Sequence, residues 1–212
     1  MVNVMNVEYL NKVPEWYKSN EKFDLVLSDD IDSLTTVAVV QSVHPNWNVE
    51  YFYDFDNIYA SPDAYFKENK SRTRVWCDVA FCRNEMAFDN HISRKDIDDH
   101  VNPRCINPNI LASVSNYGYT NKYAGSTALL AWSLYNIPLP KTEGKMMLLC
   151  IDSTFKGFYS STFKERNRFF LCDVLDLPEL YEVEKRHDIK EFYQLMDKYG
   201  LSQKIRYNSE TK

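Results

Sequence analysis

Four apolar runs in this chain end on acidic residues: Leu25-Val26-Leu27-Ser28-Asp29-Asp30-Ile31-Asp32, Val75-Trp76-Cys77-Asp78, Phe88-Asp89-Asn90-His91 and Leu149-Cys150-Ile151-Asp152. Carboxylates brought together repel and raise one another's pKa unless cations offset the charge. Clusters rich in oxygen donors suit Mg²⁺ or Mn²⁺. The pattern therefore predicts a divalent-metal site, provided the fold brings these residues to one place.

An α/β fold with a mostly parallel central sheet flanked by helices would do so, because loops at the carboxyl ends of parallel strands converge on one edge. The β-rich segments predict strands over Phe23 to Ser28, Val49 to Tyr53, Arg74 to Cys77, Glu85 to Phe88 and Met146 to Ile151. Helices are predicted over Ser33 to Val43, Gly125 to Tyr135 and Ile189 to Tyr199, the last stopped by Gly200. The Pro- and Asn-rich stretch from His100 to Asn116 reads as irregular, and the tail Asn208 to Lys212 as frayed. Residues 1–160 carry the acidic pattern. Residues 161–212, opened by Lys164, Arg166 and Arg168 before Phe169-Phe170-Leu171, read as a C-terminal extension packed on them.

Composition narrows the classes. With 44% hydrophobic and 26% charged residues in 212 positions, the chain can bury a core, and wholesale disorder is excluded. Only 5 Gly are present, and neither G-x-G-x-x-G nor a P-loop occurs. Five scattered Cys without C-x-x-C argue against a disulfide framework and a structural zinc site. The longest apolar runs, Thr35 to Val40 and Met146 to Ile151, fall short of the ~20 residues that span a bilayer. No secretory pattern is visible, so the expected location is the cytoplasm, with no membrane partner. The net charge of −5 does not favour long-range attraction to duplex nucleic acid, although metal-bound carboxylates would be locally neutralised.

The order of these motifs resembles the catalytic domain of the DHH phosphoesterases, a superfamily that includes RecJ-like exonucleases. Leu25 to Ser33 resembles its first motif, a strand running into D-x-D and a helix, and Asp78 the lone aspartate of the second. Asp89-Asn90-His91 stands where the D-H-H triplet belongs, Asn107-Pro108-Asn109 follows as an N-P element, and Asp152 closes a segment similar to the fourth motif. The resemblance covers roughly residues 22–160. It implies a metal-dependent phosphodiesterase acting on short or single-stranded nucleic acid or a nucleotide, with Asp30, Asp32, Asp78 and Asp152 holding two Mn²⁺ or Mg²⁺ ions. Asp78 would bridge the ions, while Asp89 and His91 would orient ligands or the phosphate. Asn90 replaces the first histidine of the triplet, which weakens one metal site. The downstream substrate-binding domain of such families has no counterpart in the last ~50 residues.

Other readings accompany this one. Asp residues at strand ends also serve as helix caps, and Asp32 could cap Ser33 to Val43. Asp29 is an alternative ligand, and Tyr53-Asp54-Phe55-Asp56 offers a second D-x-D; Asp98-Asp99-His100 reads as a solvated loop. Loss of one metal would leave a catalytically impaired module that binds a nucleotide or a protein. Asp30-Ile31-Asp32-Ser33-Leu34-Thr35 is also similar to the start of haloacid-dehalogenase phosphatases, where the first aspartate is a nucleophile. For substrate phosphate, Arg94, Lys95, Arg104 and Lys156 lie closest in sequence to the acidic motifs. The run Lys67 to Arg74 reads as a solvated face. Tyr117, Tyr119 and Tyr123, ahead of Gly125-Ser126-Thr127, form a candidate base-stacking and phosphate-contacting element. The sequence allows either a monomer or a homodimer.

Overall fold

The computed structural model describes residues 5–66 and 73–203. Most of the basic run Lys67 to Arg74, and the tail Asn208 to Lys212, lie outside the described residues. The architecture is α/β, with a six-stranded sheet in the order β3-β2-β1-β4-β5-β6 flanked by helices. The strands are β1 (Asp24–Leu27), β2 (Asn48–Tyr53), β3 (Ile58–Ala60), β4 (Arg74–Cys77), β5 (Met86–Phe88) and β6 (Cys105–Ile106). All adjacent pairs are parallel except β2 with the edge strand β3.

Side chains alternate across a strand, and the sheet shows it. Leu25, Val75, Cys77, Phe88 and Ile106 face the main core, while Val26, Trp76, Ala87 and Cys105 form a smaller cluster on the other face. The main core is closed by the Ile31–Val43 and Thr127–Leu134 helices, which pack against each other and bury Val37, Val40, Leu129 and Leu130. Fully burying a side chain such as Phe88 or Leu129 stabilises the fold by ~1.5–3 kcal/mol.

One predicted strand is a helix. Met146 to Cys150 lies in the Thr142–Cys150 helix, and Ile151 opens the tight turn Ile151–Ser153 that follows. The run Met146-Met147-Leu148-Leu149-Cys150 has no β-branched residue, and Met and Leu are good helix formers. A short apolar run alone does not distinguish a buried helix from a buried strand.

The Ile189–Tyr199 helix has the predicted bounds. Asp188 and Glu191 form a reciprocal capping box at its start, and Gly200 ends it at φ 63, a left-handed conformation that glycine adopts without penalty. Residues beyond 160 share the main core with the sheet: Phe170, Leu171, Leu180 and Phe192 belong to the same cluster, and Phe192 stacks on Phe155 at 4.8 Å. All five cysteines are free thiols. Among the described residues no helix is long and apolar enough to cross a membrane.

Glu184, in the Pro178–Arg186 helix, is fully buried. Its Oε2 accepts a hydrogen bond from Asn167, while its Oε1 has no partner among the described residues. Burial pushes its carboxyl up to about 9 against the Asn167 hydrogen bond, from an ordinary 4.5. The folded chain therefore holds a proton that the unfolded chain releases, so this group makes stability fall as pH rises from 4.5 towards 9. Glu184→Gln is expected to flatten that dependence and raise stability at pH 8 by ~1–3 kcal/mol. Urea melts of both proteins at pH 5 and pH 8 measure it, and parallel pH profiles would contradict the assignment.

Candidate functional site

Register places the acidic residues. Leu27 pairs with Cys77, Cys77 with Phe88 and Phe88 with Ile106, so Ser28, Asp78, Asp89 and Asn107 are the next residues along one edge of the sheet. Neighbouring strands lie ~4.8 Å apart, which sets Asp78 beside Asp89. Strand order reverses about β1, since β2 lies on one side of it and β4 on the other. The carboxyl ends of β1 and β4 thus flank the switch point where α/β sheets open a ligand crevice. Ser33 ties the two strand ends together: its Oγ donates to the Cys77 carbonyl at 2.8 Å and accepts from the Ser28 N–H at 2.7 Å.

Asp32 does not cap its own helix. Asp30 does, accepting from the Ser33 N–H at 3.0 Å, while both oxygens of Asp32 receive N–H groups from the Thr127–Leu134 helix. Thr127 donates to Oδ2 and Ala128 to Oδ1, each at 2.8 Å. A helix N-terminus carries unpaired N–H groups and partial positive charge, so it receives a buried carboxylate favourably. The Thr127 hydroxyl extends the contact, donating to Asp78 at 2.9 Å.

Asp78, Asp89 and His91 form a cluster, with one potential ligand atom from each lying within 4.8 Å of the others. Asp89 is fully buried and holds His91 Nδ1 at 2.7 Å, while Asn107 donates to its other oxygen at 2.8 Å. That hydrogen bond, against desolvation, raises the His91 imidazole to about 9. Burial first and the Asp30 charge second push Asp78 up to about 7. Burial and the Asp78 charge hold Asp32 well above the carboxylate range, and burial raises Asp152. These are strained charges that a cation would relieve.

Asp152 reaches the site from the end of a helix instead of a strand, in left-handed backbone at φ 49. Asp78 is also left-handed, at φ 61. Such conformations are uncommon outside glycine, and Asp tolerates them better than most residues.

Asn90 differs from the role expected of it. Its Nδ2 faces the Asp32 Oδ2 at 3.3 Å, the Asp152 Oδ2 at 3.1 Å and the Gly125 carbonyl at 2.9 Å. The amide thus turns its NH₂ end between two carboxylates, its two N–H donors shared among three acceptors that an amide oxygen could not serve. Its backbone is fixed by Asn109, whose Nδ2 donates to the Asn90 carbonyl at 2.7 Å and whose Oδ1 accepts from the Tyr123 N–H at 2.7 Å.

The predicted cations divide. Lys156 lines a cavity of about 720 Å³ together with Asn90, His91 and Asp152. Arg94 instead pins its own loop, donating to the carbonyls of Val114 and Ile97, and Lys95 lies over the Tyr117 ring. Arg104 precedes β6, away from the carboxyl edge, and its guanidinium meets the Asn84 carbonyl. Closeness in sequence misleads here because a side chain a few residues from a strand end can point around the turn. Lys122, which sequence reasoning passed over, lines the same cavity. Its only signal was its place among the tyrosines, and of these Tyr123 is buried with its hydroxyl on the Ser126 carbonyl, so it is no stacking platform. Asp54 is engaged in its own turn, accepting from the N–H groups of Asp56 and Asn57, and His44 stacks on Trp47 at 4.0 Å.

Asn109→Ala would strand the buried Asn90 carbonyl and Tyr123 N–H. The expected loss is ~2–4 kcal/mol, or a fall in Tm of about 5–10 °C for a chain of this size. Thermal melts at pH 7 check it, and a shift under one degree would show that Asn109 does not hold this loop. No protein-family model matches the chain and no curated protein matches it, so the meaning of the site rests on its own geometry.

Proposed function

We propose that this chain is a divalent-metal-dependent phosphoesterase of DHH type, hydrolysing phosphodiester bonds in short or single-stranded nucleic acid or in a nucleotide. One observation carries the reading: Asp78, Asp89 and His91 converge to within 4.8 Å at the carboxyl edge of a parallel sheet, next to Asp32 and Asp152. Two carboxylates and an imidazole are a donor set that Mn²⁺ accepts readily, and Mg²⁺ prefers oxygen and water. A bound ion would supply an activated water and charge neutralisation at phosphorus.

The chain's own residues supply the rest. Asp89 orients His91 through Nδ1, leaving Nε2 for an ion or, in the protonated form, for a phosphoryl oxygen. Asp32, locked by two backbone N–H groups, holds its carboxyl in place near Asp78. Lys122 and Lys156 offer phosphate contacts in the adjoining cavity. Of the expected ligands Asp30, Asp32, Asp78 and Asp152, Asp30 caps a helix through Oδ1 while its charge acts on Asp78, and Asp89 and His91 join Asp78 within 4.8 Å. That cap also gives no support to a nucleophilic Asp30 of haloacid-dehalogenase type.

A second reading is favoured by Asn90. Its NH₂ between Asp32 and Asp152 does the neutralising work of a cation there, which fits a module with one ion or none that binds a nucleotide or protein without turnover. Assays on short single-stranded oligonucleotides and nucleotide diesters separate the two. Hydrolysis is expected with Mn²⁺ and not in chelator, and Asp78→Ala should reduce it beyond the ~10–100-fold range of losing an outer-shell partner, with an unchanged circular dichroism spectrum. Full activity in chelator, or none with any divalent ion, defeats the hydrolase reading.

A further inference from the structure

His91 lines two cavities of opposite character. On one side, the cavity of about 720 Å³ contains Asp152, Lys122 and Lys156. On the other, a cavity of about 450 Å³ is walled by Tyr53, Phe55, Trp76 and Phe81, with Asp78 and His91 also at its lining. Both volumes lie within the ~300–1,000 Å³ usual for small-ligand sites.

The second cavity has features that core packing alone does not explain. Phe55 is 54% exposed and Ile58 50% exposed, so the fold leaves apolar surface open at this edge. Phe55 also sits at φ 70, a conformation unfavourable for a bulky residue. Trp76 is nearly buried between Tyr53, at 5.8 Å and 88°, and Phe81, at 4.7 Å and 55°. Its ring stands in the cavity wall, while its indole N–H is buried with no acceptor among the described residues.

We infer that the aromatic cavity is a nucleobase subsite and the lysine cavity a phosphate subsite of one substrate, with the phosphoester beside the nucleoside presented to Asp78, Asp89 and His91. This rests on the phosphoesterase reading above and assigns that site its substrate geometry. A flat ring with polar edges matches aromatic walls that share their lining with the polar side chains of Asp78 and His91. An aliphatic chain has no face to stack on Tyr53, Phe55, Trp76 and Phe81, and it carries no anion for Lys122 and Lys156. Base–aromatic stacking tolerates any base, so the subsite selects nucleosides over other groups more than one base over another.

The test is equilibrium binding in chelator, which needs neither metal nor turnover, read by tryptophan fluorescence and calorimetry. Adenosine and adenosine 5′-monophosphate are both expected to bind. Phe55→Ala, at an exposed position, should weaken both by ~5–100-fold, and Lys122→Ala with Lys156→Ala should weaken the nucleotide alone. Inorganic phosphate binding as tightly as the nucleotide, or a Phe55→Ala protein with unchanged melting and unchanged nucleoside affinity, overturns the subsite. Hydrolysis by the Mn²⁺-loaded protein of a glycerol phosphodiester, which has no ring, keeps the outcomes apart. If that diester is cleaved and no nucleoside binds, the subsite fails and the hydrolase stands; if nucleoside binds through Phe55 and nothing is cleaved, the hydrolase fails and the subsite stands.

Discussion

Carboxylates at the carboxyl edge of a parallel sheet stand one strand spacing apart, and their mutual repulsion is the constraint around which this molecule is arranged. Asp78 and Asp89 end adjacent strands, and Asp32 and Asp152 approach from flanking segments. Hydrogen bonds from neighbouring elements compensate them. The Thr127–Leu134 helix offers two N–H groups to Asp32, Thr127 offers its hydroxyl to Asp78, and Asn107 and His91 take the two oxygens of Asp89. Hydrogen bonds to the charged form favour it while burial opposes it, and the raised carboxyls of Asp32 and Asp78 show that burial prevails.

Stability is therefore given up at this edge and recovered elsewhere. Left-handed backbone at Asp78, Asp152 and Ser153 adds local strain, and such strain persists only where the surroundings over-determine it. The surroundings here are rigid. Ser33 latches β1 to β4, Asn109 clamps the Asn90 and Tyr123 backbones, and the buried faces of the Ile31–Val43 and Thr127–Leu134 helices lie directly behind. A site built on strand ends and a helix N-terminus keeps its geometry better than one carried on loops.

Asn90 changes the electrostatics of half the pocket. An imidazole at that position could ligate an ion, whereas the amide donates protons to Asp32 and Asp152 and lowers their repulsion without a net charge. The consequence is asymmetry: an imidazole meets the carboxylates on the Asp78 and Asp89 side, and an amide stands between those on the Asp32 and Asp152 side. The two cavities follow the same division, one aromatic beside Asp78 and one lysine-bearing beside Asp152.

The amino-acid sequence by itself determined the strand-then-acid rhythm, and with it the parallel sheet and the convergence of Asp32, Asp78 and Asp89; Asp152 arrives from a helix end that this rhythm did not describe. The sheet and that convergence depend on local periodicity and on a general property of strand ends. The Ile189–Tyr199 helix was legible for the same reason, since its capping box and terminal Gly200 are local signals. Tertiary structure alone decided that Met146 to Cys150 is helical, because a short apolar run is satisfied by either conformation until its neighbours choose. It also decided that Asp30 caps a helix while Asp32 receives another helix 95 residues away, that Asn90 turns its NH₂ inward, and that Lys122 and not Arg94 or Arg104 joins the cavity. Side-chain direction and partner choice depend on groups remote in sequence, and no local pattern encodes them.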